Sequence, residues 1–147
     1  MKKILIATDG SATAHAAIEA GVELAVEEDS EIVFVHVTSL LEFAPVNGSE
    51  APERLPRVET DAVLCDALER AQERDIPAKA ELLIGYAAKQ ILRLARDIDA
   101  DLIVVGSRGL GRVKSAVLGS TSREVLTKAD RPVMIVRATG TRELVDA

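Results

Sequence analysis

Apolar positions along the chain follow two alternating rhythms, short unbroken runs and longer stretches with helical spacing. Lys-Ile-Leu-Ile-Ala-Thr at 3–8 is apolar without alternation, which predicts a strand covered on both faces. The stretch 12–28 sets Ala16, Ala17, Ala20, Val22, Leu24 and Ala25 among acidic residues. That is the pattern of a helix with one apolar face, and Ser11 stands where an N-cap belongs. Ile32-Val33-Phe34-Val35-His36-Val37 is rich in β-branched residues and reads as the second strand. A helix follows over 58–75, with Ala62, Leu64, Cys65, Leu68 and Ala71 at helical spacing. Residues 78–84, marked at their start by Pro77, form a third strand. Residues 87–98 form a third helix carrying Ile91, Leu92, Leu94 and Ala95. Asp101-Leu102-Ile103-Val104-Val105 is a fourth strand, a last helix opens at Gly119-Ser120 and runs to Lys128, and 132–136 is a fifth strand. Only 42–57, with Pro45, Pro52, Pro56 and Asn47-Gly48, breaks the rhythm as a long loop.

Five strands alternating with helices predict an α/β fold, a doubly wound three-layer sandwich around a five-stranded parallel sheet. The expected organisation is a single domain over 1–138, including the variable loop 42–57, followed by a short frayed tail over 139–147. In such sheets ligands bind beyond the carboxyl ends of the strands, where the connections change direction. The turns Thr8-Asp9-Gly10-Ser11 and Gly106-Ser107-Arg108-Gly109 therefore matter most.

Composition narrows the classes of function. The chain has 147 residues, one domain's worth. Its 18 basic and 24 acidic residues give a formal charge of −6, which argues against a partner held by a phosphate backbone, such as DNA or RNA. Phe34, Phe43 and Tyr86 are the only aromatics, too few for a platform that stacks single-stranded bases. One cysteine, Cys65, excludes an internal disulfide and a cysteine-based zinc site. The opening Met1-Lys2-Lys3 and its apolar run stop at Thr8-Asp9-Gly10, short for an export segment. No stretch has the length of a transmembrane helix, so a soluble cytoplasmic protein is expected.

Local binding of phosphate by backbone amides needs no basic protein. Gly106-Ser107-Arg108-Gly109-Leu110-Gly111 follows a buried strand, and Gly119-Ser120-Thr121-Ser122 opens a helix. Glycines there admit a ligand that a β-carbon would push away. The helix start adds amide donors and the positive end of the helix dipole, with Arg108 or Arg112 as charge partners. The same glycines would also serve turns alone. Known signatures fail: Arg112-Val113 stands where a Walker A loop needs Lys-Ser or Lys-Thr, and Lys114 replaces the last glycine of a dinucleotide fingerprint.

The spacing Gly106-x2-Gly109-x9-Gly119-Ser120 resembles the ATP-binding motif of universal stress proteins. Ile4-Leu5-Ile6-Ala7-Thr8-Asp9-Gly10-Ser11, Val35-His36-Val37 and Arg131-Pro132-Val133-Met134-Ile135-Val136 are similar to other segments of that family, in the same order. The resemblance covers about residues 1–138 and implies an adenine nucleotide α-hydrolase-like sheet. It implies that Asp9 binds the ribose hydroxyls and that the main chain of Val37 meets the adenine edge. Ala7, Thr8, Val105 and Gly106 would line the base and ribose pocket. Gly109, Gly119, Ser120, Thr121 and Ser122 would hold the phosphates, with Arg108 nearby. Magnesium or manganese would arrive through the phosphates of ATP. The chemistry agrees, since a carboxylate accepts from two sugar hydroxyls but would repel phosphates. Asp9-Gly10 is also an ordinary turn signal. The family often carries proline at the position of Ala7 and histidine at Arg108. A homodimer paired through the fifth strand, Val133, Met134, Ile135 and Val136, is also implied, and would cover an apolar edge.

Catalytic machinery is scarce. His36 lies in an apolar run and reads as a satisfied, half-buried histidine, His15 as a surface residue and Cys65 as an inert core thiol. No Ser-His-Asp order stands out, and Glu27-Glu28-Asp29 and Asp97-Ile98-Asp99-Ala100-Asp101 read as solvated helix ends. The expectation is a regulatory nucleotide-binding module with at most weak ATPase activity, acting on protein partners the residues do not name. The alternative is a slow ATP hydrolase or an adenylyl-transfer enzyme, although neither H-x-G-H nor S-G-G-x-D-S occurs. A phospho-receiver is set aside because Asp9 stands alone after the first strand and Gly85 follows the third.

Overall fold

The computed structural model describes residues 2–39, 57–107, 118–137 and 142–145. In chain order the elements are β1 (Lys3–Ala7), α1 (Ala12–Glu28), β2 (Glu31–Thr38), a 3-10 turn (Val58–Thr60) and α2 (Ala62–Gln72). They continue with β3 (Ala78–Ile84), α3 (Ala87–Asp97), β4 (Leu102–Gly106), α4 (Ser120–Lys128), β5 (Val133–Val136) and β6 (Arg142–Val145). Among the described residues one sheet holds six strands in the order β3-β2-β1-β4-β5-β6. The first five are parallel to one another, and β6 is antiparallel to β5.

Alternate residues of a strand face opposite sides, and here both sides are core. Ile4, Ile6, Ile32, Phe34 and Val104 pack with Ala17, Ile18 and Ala25 of α1 and with Leu64 and Ala67 of α2. Leu5, Val33, Val35, Ile103 and Val105 pack with Ile91, Leu92 and Ala95 of α3 and with Val125 of α4. Two covered faces explain why the central strands read as unbroken apolar runs. The edge strand β3 instead exposes Lys79 and Glu81 while half-burying Ala80 and Leu82.

Helix ends are set by side chains and by local backbone shape. The Ser11 hydroxyl accepts from Ala14 N at 3.2 Å and caps α1. The first three helices end alike: Asp29, Asp75 and Asp99 sit at φ of 51°, 56° and 53°. Beyond them Ser30 N, Ile76 N and Ala100 N bond back to Ala25 O, Ala71 O and Ala95 O at 2.9–3.0 Å. Left-handed residues followed by such a bond are the usual way a helix stops. Asp29 and Asp99 are thus helix terminators as well as solvated charges.

Three features differ from the sequence reading. The helix expected over 58–75 is a 3-10 turn and then α2, separated by Asp61 in extended conformation, φ −85° and ψ 109°. Asp61 breaks the run because its carboxylate caps α2 through Leu64 N at 2.9 Å. The tail expected to fray supplies β6, whose backbone groups pair with the edge of β5. Cys65 is half-buried rather than core, its thiol donating to Val58 O and Glu59 O at 3.6 Å. The long loop lies outside the described residues except for Arg57. Among the described residues no helix is long and apolar enough to cross a membrane.

Candidate functional site

β1 and β4 are neighbours whose connections leave in opposite directions, β1 toward β2 and β4 toward β5. The crevice at their carboxyl ends is the switch point of the sheet. Thr8 N donates to Val35 O at 2.9 Å, carrying the ladder one residue past β1, and Thr8 is buried. The next three residues make a tight turn. Gly10 N approaches the Thr8 hydroxyl at 3.4 Å, and Ser11 N donates to Asp9 Oδ1 at 2.9 Å. An Asx turn of this kind fixes the aspartate side chain by its own backbone. Gly10 has φ +83°, a conformation that side chains resist, and a Cβ there would lie 3.1 Å from Val63 on α2. Asp9 is therefore held half-buried at the strand end, one carboxylate oxygen used by the turn.

Across the crevice, β4 ends at Gly106. A Cβ on Gly106 would stand 2.8 Å from the backbone C and O of Thr13, so the first turn of α1 lies directly on this residue. The buried hydroxyl of Ser122 donates to Gly106 O in a short hydrogen bond. Ser107 is buried too, and it spans two elements, its N donating to Val136 O at 2.8 Å and its O accepting from Gly119 N at 2.7 Å. These bonds fasten the start of α4 to the ends of β4 and β5.

Gly119 is the N-cap of α4 and offers no side chain to the helix. The amides of Ser120, Thr121 and Ser122 lie ahead of the first intrahelical bond, Arg123 N to Gly119 O at 3.0 Å. An uncapped first turn presents donors and the positive end of the dipole to an anion. In this turn Ser120 is exposed and Thr121 half-buried. The Ser122 hydroxyl, by contrast, acts as a strut inside it.

The remaining expected residues fall as follows. Ala7 and Val37 are half-buried and Val105 is buried, all three on the side of the sheet covered by α3 and α4. Ala7 is in register with Val35 and Ile6 with Val104, so these apolar positions floor the crevice from three adjacent strands. Arg108 and Gly109 lie outside the described residues. Ser107 is read from the sequence only as part of the turn after the fourth strand, without a role of its own, and Thr13 carries no signal beyond its place in the first turn of a helix. An open cleft of about 460 Å³ lies beside the crevice, between Tyr86, Leu118, Arg123 and Lys128, and shares Ser120 with it.

His36 is half-buried, with Nδ1 3.0 Å from Asp61 Oδ2. It is a satisfied histidine, as expected, and its partner already caps a helix. Hydrogen bonding to Asp66 raises the Arg70 guanidinium, and hydrogen bonding to Asp130 raises that of Arg131. Among the described residues no group of three or more histidine, cysteine or acidic side chains is placed to hold a metal. A carboxylate at one lip, helix amides with no partner among the described residues at the other and an apolar floor suit a ligand with an anionic end, a hydroxylated middle and a flat apolar body.

Residues 1–137 match the model of the universal stress protein family. The chain belongs to that family. Universal stress protein YxiE of Bacillus subtilis is 34% identical to it over 145 residues, spanning 92% of this chain and 98% of that one. Two solved structures share its fold at lower identity. A universal stress protein in complex with cAMP superposes with a TM-score of 0.71 at 21% identity, over 93% of this chain and 97% of that one. The universal stress protein of Archaeoglobus fulgidus in complex with dAMP gives 0.68 at 22%, over 92% and 97%. In this universal stress protein β1 to β5, the crevice and the glycine-led α4 lie within one continuous family-matched segment, and β6 lies beyond it.

Proposed function

We propose that this universal stress protein is a regulatory module that binds ATP in the crevice between β1 and β4. The observation that carries the reading is the uncapped first turn of α4, fixed by Ser107 and Ser122 across from Asp9. Phosphates suit the amides of Ser120 and Thr121. The ribose hydroxyls suit Asp9, and the base suits the floor of Ala7, Val37 and Val105. Both structural neighbours are described with a bound adenine nucleotide, which supports the class of ligand. A magnesium or manganese ion would come with the phosphates. The protein's own part is binding and orientation, because His36 is engaged by Asp61 and lies on the opposite face of the sheet from Val37. We further place a homodimer contact on the edge of β5.

Native mass spectrometry of freshly purified protein tests the binding reading, followed by calorimetric titration with ATP and magnesium. A co-purified adenine nucleotide, lost in Gly119→Val and bound more weakly in Asp9→Ala with folding intact, is the expected result. Absence of both nucleotide and heat of binding would overturn it. Phosphate release measured on the same samples decides whether slow hydrolysis accompanies binding.

A further inference from the structure

Both edges of β5 are occupied within one chain. β4 pairs on one side, from Ile103↔Val133 to Gly106↔Val136, and β6 on the other, from Val133↔Val145 to Val136↔Arg142. A strand has two edges and no third, so a second copy meets β5 only where β6 has left. We propose that β6 is a displaceable guard strand, competing with the β5 of a second copy for the same backbone donors and acceptors. The inference rests on the reading of the β5 edge as the dimer contact and is independent of nucleotide binding.

Three observations carry it. Val133-Met134-Ile135-Val136 holds no charged residue, and an apolar edge strand is a template for pairing unless it is covered. The two outer strands are charged instead: β3 exposes Lys79 and Glu81, and β6 reads Arg-Glu-Leu-Val. Charges of this kind are what sheet edges carry against further pairing. Finally, β6 is four residues long and, among the described residues, paired on one side only, and elements held that way open at far lower cost than a core strand. Antiparallel pairing of β5 with its own copy is two-fold symmetric, so it closes as a dimer. Both copies must shed β6 to form it. A guard paired about nine-tenths of the time therefore weakens dimerisation roughly a hundredfold, about tenfold for each chain.

The test compares dimer dissociation constants by sedimentation for three proteins. These are the chain as given, the same chain lacking residues 139–147, and Val136→Cys/Arg142→Cys on a Cys65→Ser background. Directly opposed antiparallel residues lie about 4.5–5.5 Å apart at Cα, within disulfide reach, so oxidation locks β6 in place. Removal of 139–147 should tighten the dimer roughly a hundredfold. The oxidised lock should stay monomeric at every concentration, and its reduction should restore the parent value. Hydrogen exchange on the unaltered chain should show the amides of 142–145 losing protection as concentration drives dimerisation, which decides the matter even if the shortened chain misfolds. Equal constants for all forms, or greater protection of 142–145 in the dimer, would overturn the guard while leaving a dimer standing. No dimer in any form would remove the β5 contact as well.

Discussion

Two glycines at the contact between α1 and the sheet, Gly106 on β4 and Gly21 in α1 itself, show how the same residue type matters to different degrees. A Cβ on Gly106 meets the Thr13 backbone at 2.8 Å, whereas one on Gly21 meets the Cδ1 tip of Ile6 at 2.3 Å. Backbone cannot turn aside, but the end of a side chain can change rotamer. Alanine in a helix interior also gains about 1 kcal/mol over glycine, which offsets part of the crowding at Gly21. Gly106→Ala is therefore expected to cost about 1–3 kcal/mol, the usual range for overpacking, and Gly21→Ala distinctly less. Paired urea denaturation curves check the order, and a reversed order would mean that α1 does not rest on Gly106. Ionisable groups at the end of α3 make a second residue-scale prediction. Arg131 donates to Ala95 O and Ala100 O at 2.9 and 2.8 Å, and its Nε donates to Asp130 Oδ1 at 2.9 Å. That bond holds the Asp130 carboxyl below the usual carboxylate range. A depressed folded pKa stabilises above the unfolded value and ceases to do so as pH falls through the folded one. Asp130→Asn should consequently be less stable than the parent at neutral pH, with the gap closing below about pH 4. A constant gap from pH 7 to pH 3 would show that the ion pair contributes nothing.

Among the elements, α2 depends most visibly on one residue. Asp61 caps it through Leu64 N at 2.9 Å and meets His36 Nδ1 at 3.0 Å, so a single carboxylate ties the helix start to β2. Val63 in the first turn of α2 in turn lies against Gly10, next to Asp9. Asp61→Ala should cost about 1–2 kcal/mol, the upper part of the range for a lost cap, while Asp61→Asn, which keeps an acceptor for Leu64, costs less. Thermal melts of both variants measure this, and equal losses would show that the His36 contact dominates the cap. The strands β1, β2 and β4 were legible because two covered faces leave their central stretches, residues 4–7, 32–35 and 102–105, without a polar position. The glycine-led start of α4 was legible from Gly119-Ser120, since glycine at an N-cap leaves the helix amides open. Asp61 was hidden because Ala62, Leu64, Cys65 and Leu68 continue a helical rhythm on which Val58 also falls, and a cap interrupts backbone shape without interrupting that rhythm. β6 was hidden for a different reason: Arg-Glu-Leu-Val has no apolar alternation, and its strand character comes from the partner edge it covers. The strut role of Ser122 was hidden as well, because a hydroxyl that bonds a carbonyl sixteen positions away has the same spelling as one that faces a phosphate.

At the scale of the whole molecule, the crevice joins parts that are distant in the chain. Asp9 stands in the turn after β1, Ser107 just after β4 and Gly119 at the start of α4, and the bonds of Ser107 reach Val136 and Gly119 together. A ligand spanning Asp9 and α4 therefore adds a noncovalent brace across the middle of the sheet that the unfolded chain cannot offer. Binding to the native state alone stabilises by about 2.7 kcal/mol at a ligand concentration one hundred times the dissociation constant. For a domain of this size each kcal/mol raises the melting temperature by about 3 °C, so ATP at that excess should raise it by roughly 8 °C. Gly119→Val separates the brace from the scaffold. Gly119 has φ −61° and ψ 159°, which valine also adopts, so the substitution adds bulk at the amides with only about 1 kcal/mol of lost cap preference. The variant should melt slightly below the parent without ligand and show no rise with ATP. Asp9→Ala should keep a reduced rise, because the amides of α4 remain while the hydroxyl acceptor is gone. An equal rise in all three proteins would put the nucleotide somewhere other than the crevice between β1 and β4. A rise abolished by Asp9→Ala and unaffected by Gly119→Val would place the ligand on β1 alone and leave the phosphates in solvent.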